Sequence, residues 1–389
     1  MQRPSTHPSL LAFARLSLWL GIVGFGGGFA IAQRVRHRIV DEERWLAEQE
    51  YLDAFAVACA LPGTSSTNLL TILGLRFHGV RGALAAATAF LAPSTALMIT
   101  CGAVYGRVRG ISAISAVLDG MSAATVGVVA AAAVDLGRTT LTRRIHWVLA
   151  TGSVALLAFH LLNLLEVVAG AALLGVLLLR PPSEAAPAKK TSAEQAFPPA
   201  SLRSVMPFAP ALAFLGAHAA LLFVVFARIG LVTFGGGFAM IPAIEHEVVA
   251  TRGWLTEAAF NDAIVLGQIT PGPVAIASTF IGYRVAGFGG AALATLGMFA
   301  PPFVLSVLAG HSIAAFRANR AVDGALRGVG PAIVGVVAAA AIAIGRTSVH
   351  TIPGGLIAIG AFAWLVVFRR ASPLLPLAVG GAATWILSR

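Results

Sequence analysis

Hydrophobic residues run through this chain in long blocks, and charged residues are confined to the gaps between them. Apolar runs cover 10–33, 82–106, 112–137, 209–233, 288–315 and 325–345. Each is long enough for a transmembrane helix, which needs about 20 apolar residues. The runs 145–180 and 351–388 each have room for a helical hairpin, with turns at Asn163 and at Arg369-Arg370-Ala371-Ser372-Pro373. The pattern predicts an all-α polytopic membrane protein. A shorter run, 54–75, is interrupted by Leu61-Pro62-Gly63-Thr64. Proline in a helix interior removes a hydrogen bond and clashes with the preceding turn, and glycine adds backbone freedom. This run therefore reads as two half-helices. The stretch before it, 34–53, is the most charged in the chain and belongs at or outside the membrane surface.

The whole pattern occurs twice. Gly24-Phe25-Gly26-Gly27-Gly28-Phe29-Ala30 returns as Thr233-Phe234-Gly235-Gly236-Gly237-Phe238-Ala239. At the same offset Trp45-Leu46 matches Trp254-Leu255, and Pro62-Gly63 matches Pro271-Gly272. One residue shorter, the offset then aligns Gly74-Leu75-Arg76 with Gly282-Tyr283-Arg284 and Gly137-Arg138-Thr139 with Gly345-Arg346-Thr347. Two homologous halves are predicted, 1–180 and 208–389. They are joined by 181–207, whose Pro, Ser, Ala, Lys and Glu cannot bury a core. If the broken segments crossed the membrane, each half would have an even number of spans and both would face the same way. If they dip in and return, with 10–33 as a full span, the number is odd and the halves are inverted. The re-entrant reading sorts most loop Lys and Arg to one face, the linker's among them, which is the cytoplasmic signature. It predicts inverted-topology repeats with broken, re-entrant helices.

Composition fits that setting. The chain has 389 residues, 58% hydrophobic and 11% charged, with mean hydropathy +0.86. Soluble domains carry about 25% charged residues. The net charge of +11 lies in short loops with no basic, aromatic-interleaved stripe, so it reads as topology signalling and not as nucleic-acid binding. Cys59 and Cys101 have no metal-ligand spacing and read as reduced packing residues. No metal or cofactor is expected. Met1 to Ser9 has no cleavage site, so no cleaved signal is expected. The expected location is the cell (inner or plasma) membrane.

Inverted repeats with helices broken at matching positions are how many secondary transporters build a site at the midplane. A broken helix exposes free N–H groups at its new N-terminus, which attract anions with the helix dipole. Acidic residues inside the apolar spans are limited to Asp119, Asp135 and Glu166, all near ends, which favours an anion over a cation. The candidate substrate site comprises Gly63, Thr64, Ser65, Ser66 and Asn68 in the first half, with Gln268, Thr270, Pro271 and Gly272 in the second. The clusters Gly26, Gly27, Gly28 and Gly235, Gly236, Gly237 would let backbone N–H groups approach an oxyanion, or would simply pack helices closely. Arg284 is a further candidate, or an interface anchor matching Arg76. The coupling candidates are the aligned pairs His37 with His246 and Asp53 with Asp262. The alternatives are a solvated imidazole and a helix-surface carboxylate.

The twin Phe-Gly-Gly-Gly-Phe-Ala motifs, the Trp-Leu pairs, and Pro271-Gly272-Pro273 followed by Ile281-Gly282-Tyr283-Arg284 together resemble the chromate ion transporter family in its long, two-domain form. The resemblance covers almost the whole chain, one family domain per half. It implies a membrane protein that exports chromate, a sulfate analogue, and so confers chromate resistance. Thr64 stands where the second half has Pro273. The partners this implies are a chromate- or sulfate-like oxyanion and the lipid bilayer, with a homodimer allowed. The chain has no metalloprotease H-E-x-x-H, no G-x-S-x-G elbow and no P-loop. An enzyme and an ATP-driven pump are therefore not expected, and coupling to the proton gradient is. The alternatives are a transporter of sulfate or another oxyanion in either direction, and an anion channel or scaffold subunit.

Overall fold

The structure is a computed structural model and describes residues 8–25, 27–159, 161–179, 217–234, 237–311, 320–368 and 371–388. Gly26, Gly235, Gly236 and the linker 181–207 lie outside the described residues. Every regular element among the described residues is a helix.

The expected single span over 10–33 is corrected. Helix α1 (Leu10–Val23) stops before the glycines, and α2 (Gly27–Arg36), continued by a π-helical segment His37–Glu42, returns. The ends of this hairpin show its direction. His78 Nε2 donates to the Pro8 carbonyl at 2.8 Å, and the Phe13 and Phe77 rings meet edge to face at 5.2 Å. At the far end Gly28 lies against Ser65. Trp45, beyond α2, is back against Phe13 and Phe77, at 6.5 and 6.3 Å. The chain therefore enters and leaves on one side. The reason is local. Glycine is the cheapest residue at a sharp reversal, and the Arg34 guanidinium reaches back to cap the Val23 carbonyl at the end of α1.

Helix α3 (Glu48–Ala60) and the first part of α4 (Ser65–Val108) form a second re-entrant hairpin, broken at Pro62-Gly63 as the sequence predicts. Asn68 closes the break: its Nδ2 donates to the carbonyls of Pro62 at 2.8 Å and Ala58 at 3.2 Å. α4 then reverses at His78-Gly79, where Gly79 has φ +63°, and Gly74 and Gly82 bring the two strands of the reversal into backbone contact. The remainder of α4 and α5 (Ser112–Thr140) are long and apolar enough to cross a membrane. A shorter pair follows, α6 (Arg144–Ala158) and α7 (Leu164–Leu178). Its turn carries a reciprocal cap between Asn163 and Glu166.

The second half repeats this order. α8 (Ala217–Val232) leads to the second glycine cluster, and α9 (Ile241–Glu245) runs into a π segment His246–Thr251. α10 (Glu257–Ile269) and α11 (Ala277–Gly310) flank the second break. α12 (Arg320–Ser348), α13 (Ile352–Val367) and α14 (Leu374–Leu387) close the chain. α11 reverses at Ala286-Gly287 as α4 does at His78-Gly79.

Matched positions make reciprocal contacts across the two halves. Gly63 N–H donates to the Thr233 carbonyl at 2.6 Å, and Gly272 N–H donates to the Gly24 carbonyl at 2.9 Å. Gly63 faces Pro302 while Gly272 faces Ser94; Gly102 faces Tyr283 while Gly310 faces Leu75. Such exchange requires a pseudo-two-fold axis through the centre, and since Tyr283 beside the α11 reversal meets Gly102 near the far end of α4 while Leu75 beside the α4 reversal meets Gly310 at the end of α11, the two reversals lie at opposite ends of the α4–α11 pair. The repeats are inverted, and this rests on the reciprocal contacts, since with 10–33 a hairpin the span count of each half no longer argues for it. The outer hairpins are also exchanged: α6 and α7 pack on α12, and α13 and α14 pack on α5. Small residues permit the close approach, with Gly335 against Ala150 and its match Gly127 against Ala358.

Candidate functional site

The centre of the molecule is where four chain reversals meet. Each glycine hairpin points at the break of its own repeat, and each break is hydrogen-bonded to the glycine hairpin of the other. The two groups of candidates, broken segments and glycine clusters, are therefore one place.

On the first repeat this place is polar. Thr64, Ser65, Ser66, Thr67 and Asn68 are all buried. Gly63, at φ +98°, sets the turn from which α4 starts. The first N–H groups of a helix have no intrahelical partner, and Thr64 at the cap position makes no side-chain bond to them. Instead Thr64 Oγ1 pairs with Thr67 Oγ1 at 2.8 Å. Ser66 is 1% exposed, and its Oγ has no hydrogen-bond partner among the described residues. An unpaired buried hydroxyl costs about 1–3 kcal/mol. A Cβ on Gly28 would lie 3.8 Å from Ser66 N, and one on Gly237 would lie 3.9 Å from the Thr64 methyl, so both glycine clusters border this helix start. Arg34 brings a guanidinium to the same tip. Of the neighbouring candidates, Gly27 opens α2, and Asn68 has its amide nitrogen committed to backbone.

On the second repeat the matching helix start is Val274-Ala275-Ile276, apolar and 3₁₀-helical before α11. Thr270 and Gln268 are buried beside it, with Pro271-Gly272 forming the break and Gly272 at φ +106°. Gln268 Nε2 donates to Thr125 Oγ1 of α5 at 3.3 Å, and its Oε1 has no partner among the described residues. An unpaired acceptor offers nothing to an anion. The hydroxyls at the break itself therefore lie on the first repeat, while the second offers the Ser278 hydroxyl in the first turn of α11, buried and without a partner among the described residues.

The remaining candidates are not at this centre. Arg284 lies at the α11 reversal, its guanidinium 5.2 Å from the centroid of the Tyr105 ring. His37 is exposed between Asp41 at 3.3 Å and Glu42 at 3.1 Å. His246 is exposed at the start of the matching π segment. Asp53 is half-buried on α3 and accepts from Gln49 at 3.2 Å. Its match Asp262 is different. It is 1% exposed, accepts from Tyr105 Oη at 2.6 Å and pairs with Arg109 Nε at 2.7 Å, both from the first repeat. Arg109 also reaches Asp119 at 2.8 Å. Burial alone would lower the Arg109 pKa, but the charge of Asp262 and the bond to Asp119 outweigh it and hold it above its ordinary value. Sequence reasoning did not find Tyr105, Arg109 or Thr125, because their partners come from the other repeat.

A family model described as chromate transporter matches residues 11–176 and again 220–385. The chain is 31% identical over 386 residues to the probable chromate transport protein of Synechococcus elongatus, covering 97% of each chain. It is 30% identical to the chromate transport protein of Cupriavidus metallidurans, covering 94% of this chain and 90% of that one. It is 28% identical to the chromate transport protein of Pseudomonas aeruginosa, covering 99% and 93%. No solved structure matches the chain.

Proposed function

The chain belongs to the chromate transporter family, and on that premise we propose that it is a secondary transporter that exports chromate across the cell membrane and confers chromate resistance. The observation that carries the central site is Ser66. Its buried, unpartnered hydroxyl sits in the first turn of α4, where open N–H groups and the helix dipole favour an anion. Glycine on two sides leaves room for oxygen atoms against backbone. Serine hydroxyl and N–H donors suit a doubly charged tetrahedral oxyanion: they bind without a tight fixed charge, so release stays fast. Arg34 supplies one positive charge at the tip without entering the donor set.

Coupling to protons falls to Asp262, the one of the four coupling candidates buried between the repeats. A proton on Asp262 would cancel its attraction to Arg109 and loosen that end of the repeat interface. This supports alternating exposure of a central site by relative movement of the repeats.

The test is chromate uptake by everted membrane vesicles, with and without an imposed proton gradient. Gradient-driven accumulation is expected. Equilibration without accumulation would instead indicate a channel. Sulfate shares the shape and charge of chromate and is expected to compete in the same assay. An unchanged chromate rate in excess sulfate would mean that the site reads more than a tetrahedral dianion.

A further inference from the structure

The second arm of α11, after its reversal at Ala286-Gly287, packs along the first arm of α4, before its reversal at His78-Gly79. This seam joins the two repeats, and it runs from the central site to the end of the molecule where α4 reverses. Two contacts fix its alignment. A Cβ on Gly63 would lie 2.5 Å from Pro302 Cβ, and one on Gly310 would lie 2.7 Å from Leu75 Cδ2. Pro302, Ser306 and Gly310 follow at intervals of four and share one face of α11. Ser306 is therefore directed at α4 between Gly63 and Leu75.

Ser306 is fully buried, and its Oγ has no hydrogen-bond partner among the described residues. Serine inside a helix commonly returns its hydroxyl to the carbonyl four residues back, as Ser17 and Ser153 do here at 2.9 and 2.8 Å. An unpartnered buried hydroxyl needs a reason. Packing supplies none, because alanine would fill the same space without the cost of a desolvated donor. The facing side of α4 is polar over the same length. Asn68 Oδ1 borders the same Gly63 Cβ position as Pro302, at 3.0 Å, and Thr71 stands one turn before Leu75. Thr71 Oγ1 is already committed to the Thr67 carbonyl at 2.8 Å. Ser306 thus brings an uncommitted donor from the second repeat, about 6 Å along its helix from the contact at the first break.

The matched seam, between the second arm of α4 and the first arm of α11, is different. At the position of Ser306 it carries Met98, fully buried. Ser94, which faces Gly272 there, already donates its hydroxyl to the Leu91 carbonyl at 3.1 Å. Ser278 is unpartnered too, but it lies about half a turn from Phe280, whose ring meets Tyr105 at 5.2 Å across this seam. Its side chain is on the other side of α11. Among the described residues, an uncommitted hydroxyl beyond the central site faces the first seam and not the second.

We propose that the oxyanion travels between the central site and the end where α4 reverses along this first seam, with Ser306 as its next hydroxyl donor after Ser66. The proposal rests on the central reading above. A neutral hydroxyl suits a transit contact, since it stabilises a passing anion without the tight hold of a fixed charge. The seam is closed in this structure, with Gly310 against Leu75 and Ile72 in its far part. Passage therefore requires the second arm of α11 to part from α4, a relative movement of the two repeats.

The test uses the purified full chain in proteoliposomes and compares wild type, Ser306→Ala and Ser66→Ala. Chromate uptake rate, equilibrium chromate binding and melting temperature are measured on each. Ser306→Ala is expected to lower the maximal uptake rate roughly tenfold. Its equilibrium chromate affinity and melting temperature should match wild type, because the anion rests at the start of α4 and no hydrogen bond seen among the described residues is lost. A serine that only packs would leave all three values unchanged, and a wild-type uptake rate in folded Ser306→Ala protein overturns the proposal. A loss of equilibrium affinity in Ser306→Ala also overturns it, since that would put Ser306 in the resting site. Failure of the central reading is separate, since it shows as wild-type chromate binding in Ser66→Ala.

Discussion

Gly63→Ala is expected to abolish chromate transport, and Gly272→Ala to impair it less, although the two glycines occupy matched positions. Both have left-handed backbone, φ +98° and +106°. An L-residue there costs about 1–2 kcal/mol. The difference comes from what a new methyl group meets. At Gly63 it would lie 2.5 Å from Pro302 Cβ, on a helix that cannot easily give way. At Gly272 it would lie 3.1 Å from Ser94 Oγ, which can rotate. Overpacking adds about 1–3 kcal/mol, and at Gly63 nearly all of it applies. Each glycine also donates its N–H to the opposite repeat, so displacement opens the contact that joins the two tips. The check is thermal melting of the purified variants with vesicle uptake measured in parallel. Equal losses at both positions would mean that the Pro302 contact is not a constraint.

The second large effect concerns the buried pair at one end of the repeat interface. Arg109→Gln leaves the Asp262 carboxylate buried with only Tyr105 to hold it. Breaking such a pair from one side typically costs about 3–5 kcal/mol. Asp262→Asn is expected to be milder, because Arg109 is partly exposed and keeps Asp119. The double variant Arg109→Leu with Asp262→Leu should recover most of the stability lost in Arg109→Gln, since an apolar pair leaves no buried charge. Denaturation midpoints of the three proteins give the order. If the double variant is the least stable, the two side chains are not coupled as the geometry requires. Transport in the double variant should lose its response to a proton gradient even where folding recovers.

Much of this architecture is written in the sequence. The duplicated Pro-Gly motif locates the broken, re-entrant segment in each half, because proline and glycine act through local backbone geometry. The apolar blocks locate the long helices for the same reason. The glycine cluster was harder to read. A run such as 10–33 is apolar throughout, and hydropathy does not distinguish a span from a hairpin whose two arms both lie in the membrane. Only the contacts of Trp45 with Phe13 and Phe77 show that the chain comes back. The exchanged outer hairpins were not legible either, since a glycine that fits Gly335 to Ala150 fits any small partner equally well. At the site, residue type pointed to Ser66, but the commitment of Asn68 to the α3 carbonyls depends on the turn at Gly63.

The central claim is that the oxyanion is held at the start of α4. Equilibrium binding of chromate to purified protein, wild type against Ser66→Ala, tests it most directly. Ser66 is buried and its Oγ has no partner among the described residues, so alanine removes a donor without breaking a hydrogen bond seen there. A hydrogen bond to a charged ligand contributes about 1.5–3 kcal/mol, so the variant should bind chromate roughly tenfold or more weakly, with its melting temperature unchanged or raised. Unchanged chromate affinity in a folded Ser66→Ala protein would contradict the account and place the anion elsewhere.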